Sequence, residues 1–498
     1  MVRTLSAFVA FTLLCVACVG CATGSAGNFQ FFGKVRPPAQ QVMRYISGSE
    51  PESLDPQLST GQPEARIFMA LYEGLVEFNP KTMEPIPAVA QRWELSENAA
   101  EYVFHLRPDA RWSDGEKITA ADFVYSLQRG LRPDLASRSA YMAYYIKYAK
   151  GYNENAAFVR DPRSGEFLLE KDFQTDFFAP PTAPSSAAET AFHRFISGPT
   201  RLVVPGDEKG RARAAEKNPK LKEAFAGKEF VPVRAEDVGI EAVDEMTLRV
   251  TLTQPAPFFL GMMGHQFFKA VPRRTIEKHG ALWTQPQNIV CSGAFKLQTW
   301  KPYNELILVR NSHYWDAANV KLDRLIFYPM EDSTTMLNLY KAGEVDAMYN
   351  HTVPTGWIDY VSKYKDYMDA PESAITYIMV NTQHAPMNDI RVRQAFSLAI
   401  DREALAQYQK AAKPLYAFTP EGIFPHYPQP KGTVFDPAKA KQLLVEAGYH
   451  DEAGRYDSRK FPAGQVEYTY NTVERNREVA EFLQAQWKQN LGITVNLN

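Results

Sequence analysis

Three of the four cysteines lie close together near the N-terminus. Their spacing suggests chemistry more strongly than the spacing of any other reactive residues in the sequence. Cys15, Cys18 and Cys21 fall in the small-residue run Leu14-Cys15-Val16-Ala17-Cys18-Val19-Gly20-Cys21. A thiol directly after Ala or Gly, at the end of an apolar segment, is typical of a bacterial lipobox, in which that thiol is acylated on cleavage. We predict lipidation at Cys21, with Cys18 as the alternative, and the other interpretation is that these cysteines are incidental. Metal binding by them is not expected, because no histidine accompanies them.

The flanking residues predict export. Arg3 supplies a positive start, and the apolar run Leu5–Val19 is short for a membrane-spanning helix but suits a signal peptide. We predict a signal peptide over 1–21 and a small-residue, Pro/Gly-containing tether over 22–41. The protein would then be lipid-anchored in the periplasm or on the outer cell surface. After cleavage Cys291 is the remaining thiol, so no internal disulfide is expected.

Catalytic motifs are lacking elsewhere in the sequence. There is no Gly-x-Ser-x-Gly elbow, His-Glu-x-x-His pair, phosphate loop or dinucleotide fingerprint, and the nine histidines are scattered. We therefore expect no enzyme activity, no cofactor and no metal site. The 55 basic and 57 acidic side chains give a net charge of -2 without long runs of either sign, which argues against a nucleic-acid partner.

The elements that would position a site are predicted as a mixture of strands and helices. A chain of 498 residues is too long for one ordinary core, so two or three structural units are expected. Alternating apolar residues predict strands, and helical spacing with capping residues predicts helices. The strands are Tyr102–Leu106, Leu248–Leu252 and Leu306–Val309, and the helices are Ala120–Gly130 with Thr119 as N-cap, Thr334–Ala342, Asp389–Ile400 and Pro437–Ala447. This mixture indicates an α/β or α+β protein.

Residues 150–232 have a different character from the rest of the chain. They contain the Pro-rich stretch 180–186 and four lysines between 217 and 228, with little periodicity. This pattern predicts a long surface insertion, partly helical over 187–196 and 212–226. We interpret it as a surface insertion that the fold tolerates, and contact with a partner is the alternative.

Several ordered motifs of this chain resemble those of the family 5 bacterial extracellular solute-binding proteins. In order they are Leu54-Asp55-Pro56, Glu73-Gly74-Leu75, Pro87-Ala88-Val89-Ala90, Arg111-Trp112-Ser113-Asp114-Gly115, Ser292-Gly293-Ala294-Phe295, Gly343-Glu344-Val345-Asp346 and Asp389-Ile390-Arg391-Val392-Arg393-Gln394-Ala395. Trp283 to Val290 and Met348-Tyr349-Asn350 resemble the oligopeptide-binding type within the family.

The resemblance implies an α/β, two-lobed periplasmic-binding-protein clamp of type II, cluster C, with an extra domain on lobe I. Lobe I would comprise 42–72 and 272–373, the extra domain 73–271, and lobe II 374–498. A ligand would be enclosed as the lobes close. Family members continue well beyond the equivalent of Asn498, so the resemblance predicts that the last part of lobe II and the return to lobe I are missing.

The function implied is that of the solute-binding component of an ABC importer, which captures short peptides and delivers them to membrane permease subunits. The chain is expected to act as a monomer. The alternatives are another solute (a murein peptide, a dipeptide or a sugar) and a surface interaction lipoprotein with vestigial transport. Positions that resemble ligand-lining residues of the family are Thr60, Gly61, Gln62, Tyr141, Tyr144, Tyr349, Asn350 and Tyr377.

Overall fold

A computed structural model describes residues 30–34, 40–173, 187–349, 352–369, 372, 374–420, 427–428, 430–471 and 473–498. The chain forms two compact units. The larger unit contains the described residues of 40–330 and 344–349, and the smaller unit contains those of 30–34, 331–343 and 352–498. These units and the predicted lobes are different divisions of the chain, and the lobe boundaries stay predictions.

The larger unit is built on antiparallel and mixed sheets. Its strands are β1 (Val42–Gly48), β2 (Val76–Phe78), β3 (Pro85–Pro87), β4 (Ala90–Leu95), β5 (Glu101–Leu106), β6 (Ala157–Arg160), β7 (Val203–Val204), β8 (Glu229–Pro232), β9 (Ile240–Ala242), β10 (Thr247–Thr251), β11 (Phe295–Lys301), β12 (Glu305–Arg310), β13 (Arg324–Pro329) and β14 (Ala347–Met348). Its α-helices are α1 (Gln62–Leu71), α2 (Ala120–Gly130), α3 (Ala149–Asn153), α4 (Ala191–Ser197), α5 (Glu208–Lys217), α6 (Pro219–Phe225), α7 (Phe259–Met262) and α8 (Arg273–His279).

A five-stranded sheet carries the candidate site. Its order is β11-β12-β13-β1-β14, with β1 parallel to both of its neighbours and the other pairs antiparallel. Helix α1 follows β1 and buries Ile67, Phe68 and Leu71 against this sheet's core. The sheet therefore fixes two neighbouring chain segments, the end of β1 and the end of β14.

A four-stranded antiparallel sheet, in the order β4-β5-β10-β9, forms the second core of the larger unit. Helix α2 packs there through Phe123 and Leu127. It begins as predicted, because the Asp122 carboxylate accepts hydrogen bonds from the backbone N–H of Thr119 at 2.8 Å and from its hydroxyl at 2.9 Å. This contact satisfies an N–H that the helix itself leaves unpaired.

The insertion folds around a sheet that the sequence pattern did not predict. Strands β7, β6 and β8 pair antiparallel in that order, and α4, α5 and α6 confirm the predicted helical stretches with shifted bounds. The Arg201 guanidinium lies over the rings of Phe167 and Phe195, at 3.8 and 4.3 Å. The buried Lys147 ammonium donates to the carbonyl of Ile196 at 2.6 Å, at the C-terminal end of α4. Residues 150–232 thus have their own small core as well as a contact that ties them to the unit.

The smaller unit is mainly helical among its described residues. Its α-helices are α9 (Ser333–Ala342), α10 (Ile358–Val361), α11 (Ile390–Leu398), α12 (Arg402–Gln409), α13 (Pro437–Glu446) and α14 (Glu474–Leu491), with β15 (Glu467–Tyr468) parallel to β16 (Asn496–Leu497). The core is centred on Trp487, whose ring lies 5.4 Å from that of Phe396 and whose N–H donates to the Phe396 carbonyl at 3.1 Å. No helix among the described residues of either unit is both long enough and apolar enough to cross a membrane.

Replacing Gly293 with alanine should destabilise the larger unit. A Cβ at this position would lie 2.5 Å from the carbonyl oxygen of Ala70 and 2.8 Å from the nitrogen of Tyr72, and backbone atoms cannot turn aside as a side chain can. We expect G293A to lower the free energy of unfolding by about 1–3 kcal/mol, the usual cost of overpacking. Urea unfolding measures this, with G261A as the control, because a Cβ on Gly261 meets nothing within 4 Å. Equal midpoints for G293A and the wild type would contradict the close approach.

Candidate functional site

The loop that leads into α1 is held by a buried ion pair. The Asp55 carboxylate accepts hydrogen bonds from Arg129 at 2.6 Å and from the Trp283 N–H at 3.3 Å, and Arg129 also donates to the side-chain oxygen of Gln57 at 2.5 Å. Asp55 is 2% exposed and Arg129 is 7% exposed. The Leu54-Asp55-Pro56 motif is therefore structural, and it fixes the chain just before the predicted ligand segment.

The predicted segment Thr60, Gly61 and Gln62 presents backbone donors at the surface. Thr60 and Gln62 are exposed, and Gly61 is the extended N-cap residue of α1, with no side-chain cap. Within the described part of the chain, the N–H groups of these three residues donate to no other residue. Such groups at a helix N-terminus favour carbonyl or carboxylate oxygens. This segment can therefore hydrogen-bond a ligand through its main chain.

Arg66 joins this segment to Tyr349. One turn into α1, its guanidinium donates to the side-chain oxygen of Gln62 at 3.2 Å and to the carbonyl of Ser47 at 3.3 Å, and it lies 5.0 Å from the centre of the Tyr349 ring. A Cβ on Gly48 would stand 3.5 Å from that ring, so the end of β1 is packed closely against it. Arg66 was not predicted, although the four-residue spacing from Gln62 places both side chains on one helix face.

The two predicted tyrosines between α2 and α3 have different environments. Tyr141 is 65% exposed, whereas Tyr144 packs on the core and its hydroxyl donates to the side-chain oxygen of Asn153 at 2.6 Å. Three residues before Tyr141, the exposed Arg138 side chain pairs at 2.8 Å with Glu52 of the loop before α1. Of the two side chains, Tyr141 is the one that is open to a ligand.

The structure describes only part of the remaining predicted positions. Tyr377 belongs to the smaller unit, where it is 59% exposed and meets Phe418 edge-on at 5.7 Å. Asn350 and the predicted lipidation residues Cys21 and Cys18 lie outside the described residues. Among the residues that the structure does describe, no cluster of His, Cys, Asp and Glu is suited to hold a metal ion.

Glu73, two residues after the C-terminal end of α1, is a buried carboxylate that accepts two side-chain hydrogen bonds. It accepts hydrogen bonds from the Tyr314 hydroxyl at 2.6 Å and from the Trp315 N–H at 2.7 Å, and it is 6% exposed. Burial raises the pKa of Glu73 from 4.5 to about 7, although these two hydrogen bonds and Lys269 oppose the shift. The group is therefore largely protonated in the folded state in mildly acidic solution.

Replacing Glu73 with glutamine should flatten the pH dependence of stability. The folded-state pKa lies above the unfolded one, so the folded state holds the proton longer, and the free energy of unfolding falls as pH rises from 4.5 to about 7. The fall should be roughly 3 kcal/mol at most, since one pKa unit corresponds to ~1.4 kcal/mol. Urea unfolding of wild type and E73Q at several pH values in this interval measures it.

The matched control for that change is E97Q, which removes one carboxylate charge from an exposed position. It should keep the wild-type slope of stability against pH. If the free energy of unfolding of E73Q depended on pH as steeply as that of E97Q, Glu73 would be ionised in both the folded and the unfolded state across the interval.

A larger α/β unit that presents backbone donors and a fixed tyrosine at its surface, together with a second, mainly helical unit, has the features of a protein of the solute-binding class. This chain belongs to that class: residues 84–498 match the family described as bacterial extracellular solute-binding proteins, family 5 Middle. The resemblance inferred from the motifs and the predicted fold class are both confirmed.

Two named proteins and one solved structure are similar to this chain over most of its length. The periplasmic oligopeptide-binding protein OppA of Salmonella typhimurium is 31% identical over 470 residues, which are 92% of this chain and 70% of the relative. The probable deoxycholate-binding periplasmic protein YgiS of Escherichia coli is 30% identical over 473 residues, which are 92% of this chain and 71% of that protein. A crystal structure of a periplasmic oligopeptide-binding protein, OppAIV of Borrelia burgdorferi, has a TM-score of 0.68 at 28% identity and covers 92% of this chain and 75% of its own.

Proposed function

We propose that this chain is the solute-binding component of an ABC importer and that its ligands are short peptides. The observation that carries the proposal is the set of three adjacent N–H donors at Thr60, Gly61 and Gln62, beside a tyrosine that Arg66 holds in place. Peptides of varied sequence are best recognised through their own backbone, because side-chain contacts differ from one peptide to the next. The likeness to oligopeptide-binding proteins of Salmonella typhimurium and Borrelia burgdorferi supports the same ligand class.

Within this proposal the residues have distinct roles. The main chain of Thr60 to Gln62 pairs with the peptide backbone, and the rings of Tyr349 and Tyr141 line the ligand. Asn350 and Tyr377 complete the predicted lining. Tyr144, whose hydroxyl donates to the side chain of Asn153, stays a predicted lining residue.

Isothermal titration tests the ligand class. The purified chain should bind tri- and tetrapeptides and should bind free amino acids much more weakly, since these offer too few backbone groups. Deoxycholate is the competing ligand, because one relative carries that name. Binding of deoxycholate without peptide binding would replace the proposed ligand by an amphipathic acid. Bound peptide should be recovered intact by mass spectrometry, and its cleavage would contradict a purely binding role.

The anchor is proposed at Cys21, with Cys18 as the alternative, on the basis of the small-residue run that ends there. Lipidation would hold the protein at the membrane surface, in the periplasm or on the outer face of the cell, beside its permease. We propose that it acts there as a monomer. In cells, C21A should accumulate as an unprocessed precursor without lipid, and C18A should mature normally. The opposite pattern would move the anchor to Cys18, and normal maturation of both variants would reject lipidation.

A further inference from the structure

A short N-terminal segment, residues 30–34, is fastened to the smaller unit by one carboxylate. The two oxygens of Asp366 accept hydrogen bonds from the N–H groups of Phe32 and Gly33, both at 2.9 Å, and the Tyr340 hydroxyl donates to the same group at 3.0 Å. A Cβ on Gly33 would lie 2.9 Å from the Tyr340 ring, so the segment is packed closely.

Further hydrogen bonds continue this attachment along the segment. The backbone N–H of Lys365 donates to the carbonyl of Gln30 at 2.8 Å, and its ammonium group donates to the Gln30 side chain, also at 2.8 Å. At the other end the N–H of Lys34 donates to the carbonyl of Lys341 at 3.3 Å. The segment is therefore docked from end to end, and its position on the unit is fixed.

The surface around the docked segment is aromatic and basic. The Phe32 ring meets those of Trp357, Tyr360 and Tyr364 edge-on at 6.5, 6.1 and 5.6 Å. Trp357 is 40% exposed and Tyr360 48% exposed, and Lys363 beside them is exposed. Half-exposed Trp and Tyr with nearby lysines are the side chains that favour the headgroup region of a bilayer.

Chain length determines how far this surface can lie from an anchor at Cys21. Gln30 is nine residues beyond Cys21 (30 − 21), a span of ~32 Å at full extension. The next described residue along the chain is Gln40, nineteen residues beyond Cys21 (40 − 21), a span of up to ~68 Å. An anchor at Cys21 would therefore keep the docked segment within ~32 Å of the membrane, about half the distance that the chain length allows for Gln40.

We infer that residues 30–34 and 357–368 form a membrane-facing surface that rests on the phospholipid headgroups of the bilayer that holds the lipid anchor. The inference rests on the proposed lipidation of Cys21. It assigns the aromatic side chains around Phe32 to the bilayer interface and gives Asp366 the role of a positioning residue, which keeps the docked segment in place.

Tryptophan quenching in vesicles tests this surface. The lipidated full chain is incorporated into vesicles of phosphatidylcholine and phosphatidylglycerol, with or without bromine on the acyl chains, and its fluorescence is recorded. The wild type should lose emission in the brominated vesicles, and W357F should abolish most of that loss. D366N should reduce the loss, whereas D369N, which removes a nearby exposed carboxylate, should leave it at the wild-type level.

Flotation of the same vesicles tests the lipid anchor at Cys21 separately from the membrane-facing surface. Protein that floats with the vesicles but shows equal emission with and without bromine would overturn the membrane-facing surface and leave the anchor intact. Protein that does not float would reject the anchor and with it this inference. Because W357F replaces one half-exposed aromatic ring with another and removes none of the hydrogen bonds that hold the segment, the test does not depend on whether D366N folds.

Discussion

Replacing Asp55 with alanine should lower the free energy of unfolding by about 3–5 kcal/mol, the usual cost of removing one partner of a buried ion pair. Arg129 would remain 7% exposed without its carboxylate, and the Trp283 N–H would lose its acceptor. Urea unfolding followed by tryptophan fluorescence measures the change.

The matched control is D134A, because Asp134 pairs with Arg132 at 2.5 Å but on the exposed surface. Water already screens that pair, so D134A should leave the unfolding midpoint close to that of the wild type. Equal midpoints for D55A and D134A would mean that the Asp55–Arg129 pair contributes little, and that the loop before α1 is held by packing alone.

Replacing Tyr349 with alanine should weaken peptide binding about tenfold to a hundredfold, or ~1.4 to ~2.8 kcal/mol, the range for a central aromatic contact. Its ring is held between Arg66 and Gly48, so little side-chain freedom is lost when a ligand packs on it. Isothermal titration with a tripeptide measures the affinity, and thermal unfolding of the free variant checks that the fold is kept.

Three further variants test whether that result is specific to the site. R66A should also weaken binding, since it frees both Gln62 and Tyr349, but R66K should not restore it, because an ammonium cannot make the same paired donations. Y303A removes a tyrosine that is 84% exposed and should leave the affinity unchanged. If Y349A bound the peptide with wild-type affinity, Tyr349 would not belong to the ligand site.

Local sequence patterns predicted the elements that local forces determine. Helix α2 was predicted residue for residue because its start depends on Thr119 and Asp122, three positions apart. Helix α13 was predicted from Pro437, a start that Asp436 and Pro437 set, but it ends at Glu446, one residue before the predicted Ala447. Strands β5, β10 and β12 were predicted from alternation, with no bound shifted by more than one residue.

The insertion was predicted less well for a physical reason. Strands β6, β7 and β8 have between two and four residues, too few to show a period, and their pairing depends on partners far along the chain. The stacking of Arg201 on Phe167 and Phe195 is likewise a contact between separate segments. The same limit explains why Arg66 was missed, since its link to Tyr349 spans most of the larger unit's sequence.

The site was predicted mainly through family resemblance. That resemblance named Gln62 and Tyr349, and the structure brings them together through Arg66. It also named Tyr144, whose hydroxyl is already used by Asn153. Composition and spacing alone gave no ligand, because main-chain donors such as those of Thr60 and Gly61 carry no signature in residue type.

The most direct test of peptide binding is thermal unfolding of the purified chain with and without a pool of two- to five-residue peptides. A ligand at about a hundred times its dissociation constant should stabilise the folded state by ~2.7 kcal/mol. The account predicts one cooperative transition that moves to higher temperature as peptide is added, and a smaller shift for Y349A. A cooperative transition that stays at the same temperature across all peptide concentrations would contradict peptide binding by this chain.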